Sequence, residues 1–154
     1  NEEIICKNLS LSLEAIMVFN KTEDATVFNE ILERAVQAPF NKKLGIKIIK
    51  AKKGSIELEL DPKPDLANGL GIVHGGVTAS LCDSAMGFAV MTLGIVPVTV
   101  EMKLNYLSPG SIDQKLIAKG AVVKEGRTLI IAESQVYSGE KLVAKSLGTY
   151  FGQS

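Results

Sequence analysis

The chain has 154 residues, 46% of them hydrophobic and 22% charged. One domain of that length buries roughly 70% of its unfolded surface. Seventeen basic residues balance seventeen acidic ones with no polybasic run, which argues against nucleic acid or a membrane surface as a partner. The longest apolar stretch, residues 85–100, is broken by Gly87, Gly94 and Pro97 and does not suit a membrane span. The chain starts with acids rather than the basic segment of a signal peptide. Its two cysteines, Cys6 and Cys82, form no CxxC pair, and there is a single histidine, His74. Neither a disulfide framework nor a metal site is expected, and a cytoplasmic location fits.

In chain order, residues 11–19 and 22–37 read as helix. In the second piece Val27, Phe28, Ile31, Leu32, Ala35 and Val36 recur at helical spacing, with Pro39 as the expected stop. Residues 44–53 and 55–61 alternate apolar and polar and predict a strand pair turning at Gly54. The Pro, Asn and Gly content of residues 62–72 predicts a loop. A nearly all-apolar helix is expected over residues 75–93, capped by Gly94. Four strands follow, over residues 96–107, 115–125, 127–138 and 141–151, the last three joined by short hairpin turns. Strands segregated around one long helix predict an α+β fold rather than a doubly wound parallel sheet, with the helix lying across one sheet face.

The long helix carries the chemistry. Residues placed about 100° apart put Val77, Leu81, Ala85 and Phe88 on one face and Ala79, Cys82, Met86 and Leu93 on the next. Ser80, Asp83, Ser84 and Gly87 fill the remaining stripe, narrow enough for a backbone or ligand to approach. Asp83 has no basic residue at i±3 or i±4, where Ala79, Ser80, Met86 and Gly87 stand. A partly desolvated carboxylate needs a partner or a role. Two readings stand: an acid satisfied by a serine or a distant backbone donor, or a general base.

His74-Gly75-Gly76 opens that helix. The first amides of a helix lack internal partners and carry the positive end of its dipole. Glycine lets a substrate oxygen approach them, as an oxyanion site requires, although Gly-Gly also suits an ordinary tight turn. Gly75 and Asp83 stand eight positions apart on one helix, about 12 Å. One carbonyl cannot meet both. Two antiparallel helices across a two-fold axis remove the difficulty, which predicts a homodimer with two composite sites.

The pattern N-x5-HGG-x6-DSA, the strand spacing and TVEMKLNYLSP after the helix resemble the hot-dog-fold acyl-CoA thioesterases of the phenylacetic-acid-pathway and thioesterase superfamily member 2 type. The resemblance spans roughly residues 31–152 and leaves residues 1–30 as a helical extension of a single domain over 1–154. It implies a sheet of about six strands wrapped around one central helix, and two such units side by side with joined sheets, often paired again into a tetramer. It also implies acyl-CoA hydrolysis with no cofactor, CoA being part of the substrate. Asp83 then activates water or attacks directly, and the Gly75 amide polarises the thioester carbonyl. Asn68 assists at that carbonyl, His74 positions the loop and thioester, and Thr99 helps hold the water. Gly76, Ser84, Ser108, Pro109 and Arg127 fall where substrate binds, the Ser108–Pro109 turn near the pantetheine arm. As a lone histidine at a helix start, His74 is expected to be neutral, and a loop brace is its other reading.

A hot-dog dehydratase, with His74 as base, and a non-catalytic acyl-CoA binder are the competing classes. Asp83 argues against both. Cys82 as a nucleophile lacks a nearby base. Lys103, Lys124, Arg127 and Lys141 are candidates to meet CoA phosphates, each also readable as a solvated charge. Acyl-chain selection is left to side chains such as Phe40, Met86 and Val90.

Overall fold

The alternation on either side of Gly54 becomes a tight antiparallel hairpin in the computed structural model, which describes residues 4–5, 32–33 and 35–152. In chain order the elements are β1 (Ile4–Ile5), α1 (Pro39–Leu44), β2 (Lys47–Lys52), β3 (Ser55–Leu60), a 3-10 turn at Pro64–Leu66, α2 (Gly75–Met91), β4 (Val98–Tyr106), β5 (Leu116–Glu125), β6 (Leu129–Ser138) and β7 (Lys141–Phe151). In β3, buried Ile56, Leu58 and Leu60 alternate with half-buried Ser55, Glu57 and Glu59, the mark of a strand with one face on the core. Gly54 turns the hairpin at φ 77°, a conformation that a side chain disfavours.

All pairings are antiparallel, in the order β1-β2-β3-β5-β6-β7-β4. Although β4 follows α2 directly, it runs to the far edge of the sheet and pairs with β7. α2 packs across one sheet face, touching β3, β4, β5, β6 and β7. Leu81 and Ala85 from the helix meet Leu58, Leu60, Leu116, Ala118 and Val136 from the strands, all at 0% exposure. Each such leucine contributes about 1.5–3 kcal/mol by leaving water. Helix and sheet come this close because β5 carries Gly120: a Cβ there would collide with the Ala85 carbonyl.

The sequence-based expectation of one long helix on an antiparallel sheet matches this hot-dog architecture. Three details differ. Pro39 opens α1 at its first turn instead of ending a helix, since its missing N–H costs nothing there. α2 ends at Met91 with Thr92 as its cap, and Gly94 turns afterwards at φ 80°. The Thr92 hydroxyl donates to the Ala89 carbonyl and accepts the Gly54 amide, tying the helix end to the β2–β3 turn. A seventh strand, β1, stands at the other edge where helix was expected. The rest of the expected extension over 1–30, the helix over 11–19, and Val27, Phe28, Ile31 and Cys6 lie outside the described residues. Residues 35–37 are helical, and Leu32 and Ala35 are buried.

Candidate active site

His74 is the N-cap of α2. Its Nδ1 accepts the Gly76 amide at 2.8 Å, and its carbonyl accepts the amides of Val77 at 2.9 Å and Thr78 at 3.4 Å. A ring that accepts at Nδ1 and is neutral carries its proton on Nε2. Of the first four helix amides, three are thereby satisfied by His74 itself. Only the Gly75 N–H is left without a partner among the described residues. Gly76, read from sequence as substrate-binding, gives its amide to the histidine. The Gly75 carbonyl accepts from the Tyr106 hydroxyl at 2.9 Å, so β4 braces the helix start.

The loop before the helix is held the same way. Asn68 Oδ1 accepts the amides of Leu70 at 2.9 Å and Ile72 at 3.4 Å. Its backbone amide donates to Ile72, while the His74 amide donates to Leu66 and the Val73 amide to Gly110. The last contact brings the Ser108–Gly110 turn against the residue before His74, so Ser108 and Pro109 lie at the helix start.

Two turns along α2, Asp83 is half-buried. Its Oδ1 lies 2.9 Å from the Thr99 hydroxyl and 2.9 Å from the Tyr150 hydroxyl, both donors. Neither a serine nor a cation is its partner: among the described residues, no lysine or arginine pairs with Asp83. Oδ2 has no hydrogen bond among those residues. The carboxylate opens on a cleft of about 280 Å³, walled by Phe40 and Asn41 of α1, Ser80, Ser84, Gly87, Phe88 and Met91 of α2, Pro97, Thr99 and Tyr150. The predicted stripe of small residues is therefore one wall of this cleft. Ser84 donates to Asn41 Oδ1 at 3.3 Å, tying α1 to α2 there.

The phenol of Tyr150, 1% exposed, is pushed far above its ordinary pKa, chiefly by burial and then by the charge of Asp83 and the bond to it. Cys82, next to Asp83, faces the sheet. It is fully buried, and burial raises its thiol despite opposing hydrogen bonds from Ser134 and Ser146; the Asp83 charge adds to the rise. A thiol kept protonated in the core is no nucleophile.

The structure thus brings Asp83 and Thr99 together and places His74, Gly75, Asn68, Ser108 and Pro109 at the helix start. It does not join the two groups within one chain. Arg127 is exposed in the β5–β6 turn with Lys124 nearby, at the opposite end of the sheet from Lys141, so the candidate cations form no single patch. Phe40 lines the cleft, but Met86 and Val90, expected to set its width, are fully buried on the sheet side of the helix. Tyr150 and Asn41 were not anticipated. The sequence offered one signal for the tyrosine: it ends the inward series Ala144, Ser146, Gly148, Tyr150, where small residues leave space under the helix.

A long helix carrying an acid, packed on an antiparallel sheet, is the architecture of the hot-dog enzymes. Residues 70–145 match the model of the Thioesterase superfamily. A "Putative esterase" of Saccharolobus solfataricus is 34% identical over 125 residues, covering 79% of this chain and 83% of that protein. Human acyl-coenzyme A thioesterase 13 is 32% identical over 93 residues, 58% of this chain and 66% of the human protein. A solved hypothetical thioesterase of Streptococcus pneumoniae, described with coenzyme A, is 31% identical at a TM-score of 0.68, covering 71% of this chain and 86% of that one. Variants of that protein with one aspartate or one threonine changed to alanine, 16 positions apart, are similar structures as well. This chain belongs to the thioesterase superfamily, and it is a thioesterase.

Proposed function

We propose that the chain hydrolyses acyl-CoA thioesters in two sites shared between the copies of a homodimer. The observation that carries the reading is the separation on α2. The Gly75 amide, unpaired among the described residues, and the Asp83 carboxylate lie on the same helix, about 12 Å apart along its axis. A second copy with its helix antiparallel brings one chain's amide to the other's acid. The Gly75 N–H then polarises the thioester oxygen, and Asp83 deprotonates the attacking water or attacks itself. The tetrahedral intermediate expels CoA thiolate, which takes a proton; where Asp83 itself attacked, water then hydrolyses the acyl anhydride on Asp83 to release the acid and restore the carboxylate. Asn68, whose Oδ1 is fixed by its own loop, has its side-chain amide to offer the carbonyl. His74 acts as the brace that leaves Gly75 free, and Thr99 orients the acid and its water. Gly76, Ser84, Ser108 and Pro109 border the substrate, and Arg127 meets its phosphates. Protein groups and water suffice, with CoA carried as substrate rather than cofactor.

The spacing of Asp83 and Thr99, 16 positions, equals that of the two residues changed in the streptococcal thioesterase, and that protein's description with coenzyme A supports the CoA moiety. The edge strand β4, unpaired on its outer side among the described residues, supports joined sheets, and pairing of dimers into a tetramer extends the same reading. The compartment proposed is the cytoplasm; among the described residues no helix is long and apolar enough to cross a membrane. The test is thiol release across short, long and aryl acyl-CoAs. Asp83→Asn should lose at least about 100-fold in kcat with KM little changed, as expected on removing a general base or nucleophile. Near-normal turnover in that variant removes Asp83 from the reaction.

A further inference from the structure

Tyr150 stands at the penultimate position of β7, paired in register with Thr99 of β4 on one side and Ile130 of β6 on the other. Its ring lies in a slot made by two glycines. A Cβ on Gly148 would come 3.2 Å from Tyr150 Cε2, and one on Gly87 would come 3.7 Å from Cε1. With the ring edges held between strand and helix, the hydroxyl reaches up to α2 from beneath. There it lies 2.9 Å from Asp83 Oδ1 and 3.1 Å from the Asp83 carbonyl. The hydroxyl has one hydrogen, and the charged oxygen is the stronger acceptor.

Thr99 approaches the same Oδ1 at 2.9 Å from the edge strand. Two hydroxyls from two strands therefore converge on a single oxygen of the carboxylate. A carboxylate on a helix otherwise turns broadly about its last torsion, because that rotation is shallow. Fixing one oxygen from two directions fixes the position of the other.

We propose that Tyr150 is a positioning residue for hydrolysis: with Thr99 it pins Oδ1 of Asp83, so that Oδ2 alone is presented to water or to the thioester carbon. The inference rests on the assignment of Asp83 as base or nucleophile. A group correctly aimed before reaction raises turnover without strengthening substrate binding, because the cost of orientation is met in the folded protein. The buried phenol is well suited to the task. Burial and the neighbouring carboxylate keep it protonated, and therefore a donor, well beyond the ordinary tyrosine range.

A double-mutant cycle tests this. Tyr150→Phe keeps the ring in its slot and removes only the donor. In the wild-type background it should lower kcat about tenfold with KM within about twofold, a modest share of what orientation can supply. In the Asp83→Asn background the same change should leave the residual rate unaltered, because Tyr150 acts only through Asp83. A merely structural role predicts the same loss in both backgrounds and overturns the proposal, as does an unchanged kcat in Tyr150→Phe. Should that chain fail to fold, Thr99→Val on the exposed edge strand runs the same cycle on the same clamp. An unchanged kcat in Thr99→Val overturns the proposal equally. If Asp83→Asn itself turns over normally, the assignment of the acid fails. If Asp83→Asn is inactive and Tyr150→Phe is like wild type, only the clamp fails.

Discussion

Cys82 and Asp83 are adjacent, yet about 100° of helix rotation gives them opposite fates. The thiol is sealed against Ser134 and Ser146 while the acid opens on a cleft. That division was legible, because apolar residues at helical spacing define the buried faces and Asp83 falls on the narrow stripe between them. His74 was legible as the residue that opens the helix. Its bond to the Gly76 amide was not, since nothing in a Gly-Gly pair says which amide the cap consumes. Tyr150 carries a residue-scale prediction. Its phenol holds its proton more tightly folded than unfolded, so the stability linked to it is complete below the unfolded value of about 10 and declines as pH rises above it. Unfolding free energy measured by denaturant should therefore fall more steeply above pH 10 in wild type than in Tyr150→Phe. Parallel curves in that range would show that Tyr150 is not the group being linked.

At the scale of elements, the position of α2 depends on strand residues that lack side chains. Gly120 receives the Ala85 carbonyl, and Gly148 lies beneath Met86, 3.1 Å from where a Cβ would stand to the thioether methyl. The two glycines differ in what must yield. At Gly148 the nearest atom is a flexible methionine tip, with the Tyr150 ring at 3.2 Å and the Glu101 carbonyl at 3.3 Å, whereas at Gly120 the helix backbone itself would collide. Gly120→Ala should therefore lift the helix from β5 and destabilise the fold by about 1–3 kcal/mol, the usual cost of overpacking. Gly69→Ala, with nothing within 4 Å of the added carbon, should stay within about 0.5 kcal/mol. Denaturant midpoints compare the two, and equal shifts would mean that the helix does not rest on Gly120. Most strands were legible because each alternates against one buried face and is bounded by turn residues. The order of the strands was not. β4 is joined to α2 by a short connection but pairs at the far edge, a choice made by packing rather than local sequence. β1, two residues long, has too little pattern to read.

At the scale of the whole molecule, the sheet ends on one side in β4, a nine-residue strand whose outer backbone edge has no partner among the described residues. Val98 and Val100 on it are 63% and 57% exposed, and Val98, Phe151 and Leu129 line up across three neighbouring strands as an exposed apolar row. Proteins rarely leave such an edge open, because it invites uncontrolled pairing. Pairing with a second copy would satisfy it by the commonest symmetry, consistent with the proposed shared sites. The decisive variants are Asp83→Asn and Gly75→Pro. Proline at the first helical position deletes the helix-start amide left unpaired among the described residues and suits the helix start. His74, at φ −61° and ψ 136°, already has the conformation that a residue before proline prefers. The exposed Tyr106 side chain, whose hydroxyl lies 3.3 Å from the new carbon, has room to move. Losing an oxyanion donor should cost about 100- to 1,000-fold, so each homodimer should be nearly inactive. In a heterodimer, shared sites give one centre with both groups intact and one with neither. Random reassortment of equal amounts should then restore about a quarter of wild-type activity, half of the dimers carrying one good site of two. Sites confined to single chains predict no recovery, because every site would keep one defect. Thiol release by heterodimers isolated with two affinity tags separates these outcomes, and an inactive heterodimer of verified composition would break the link between the open edge and the chemistry.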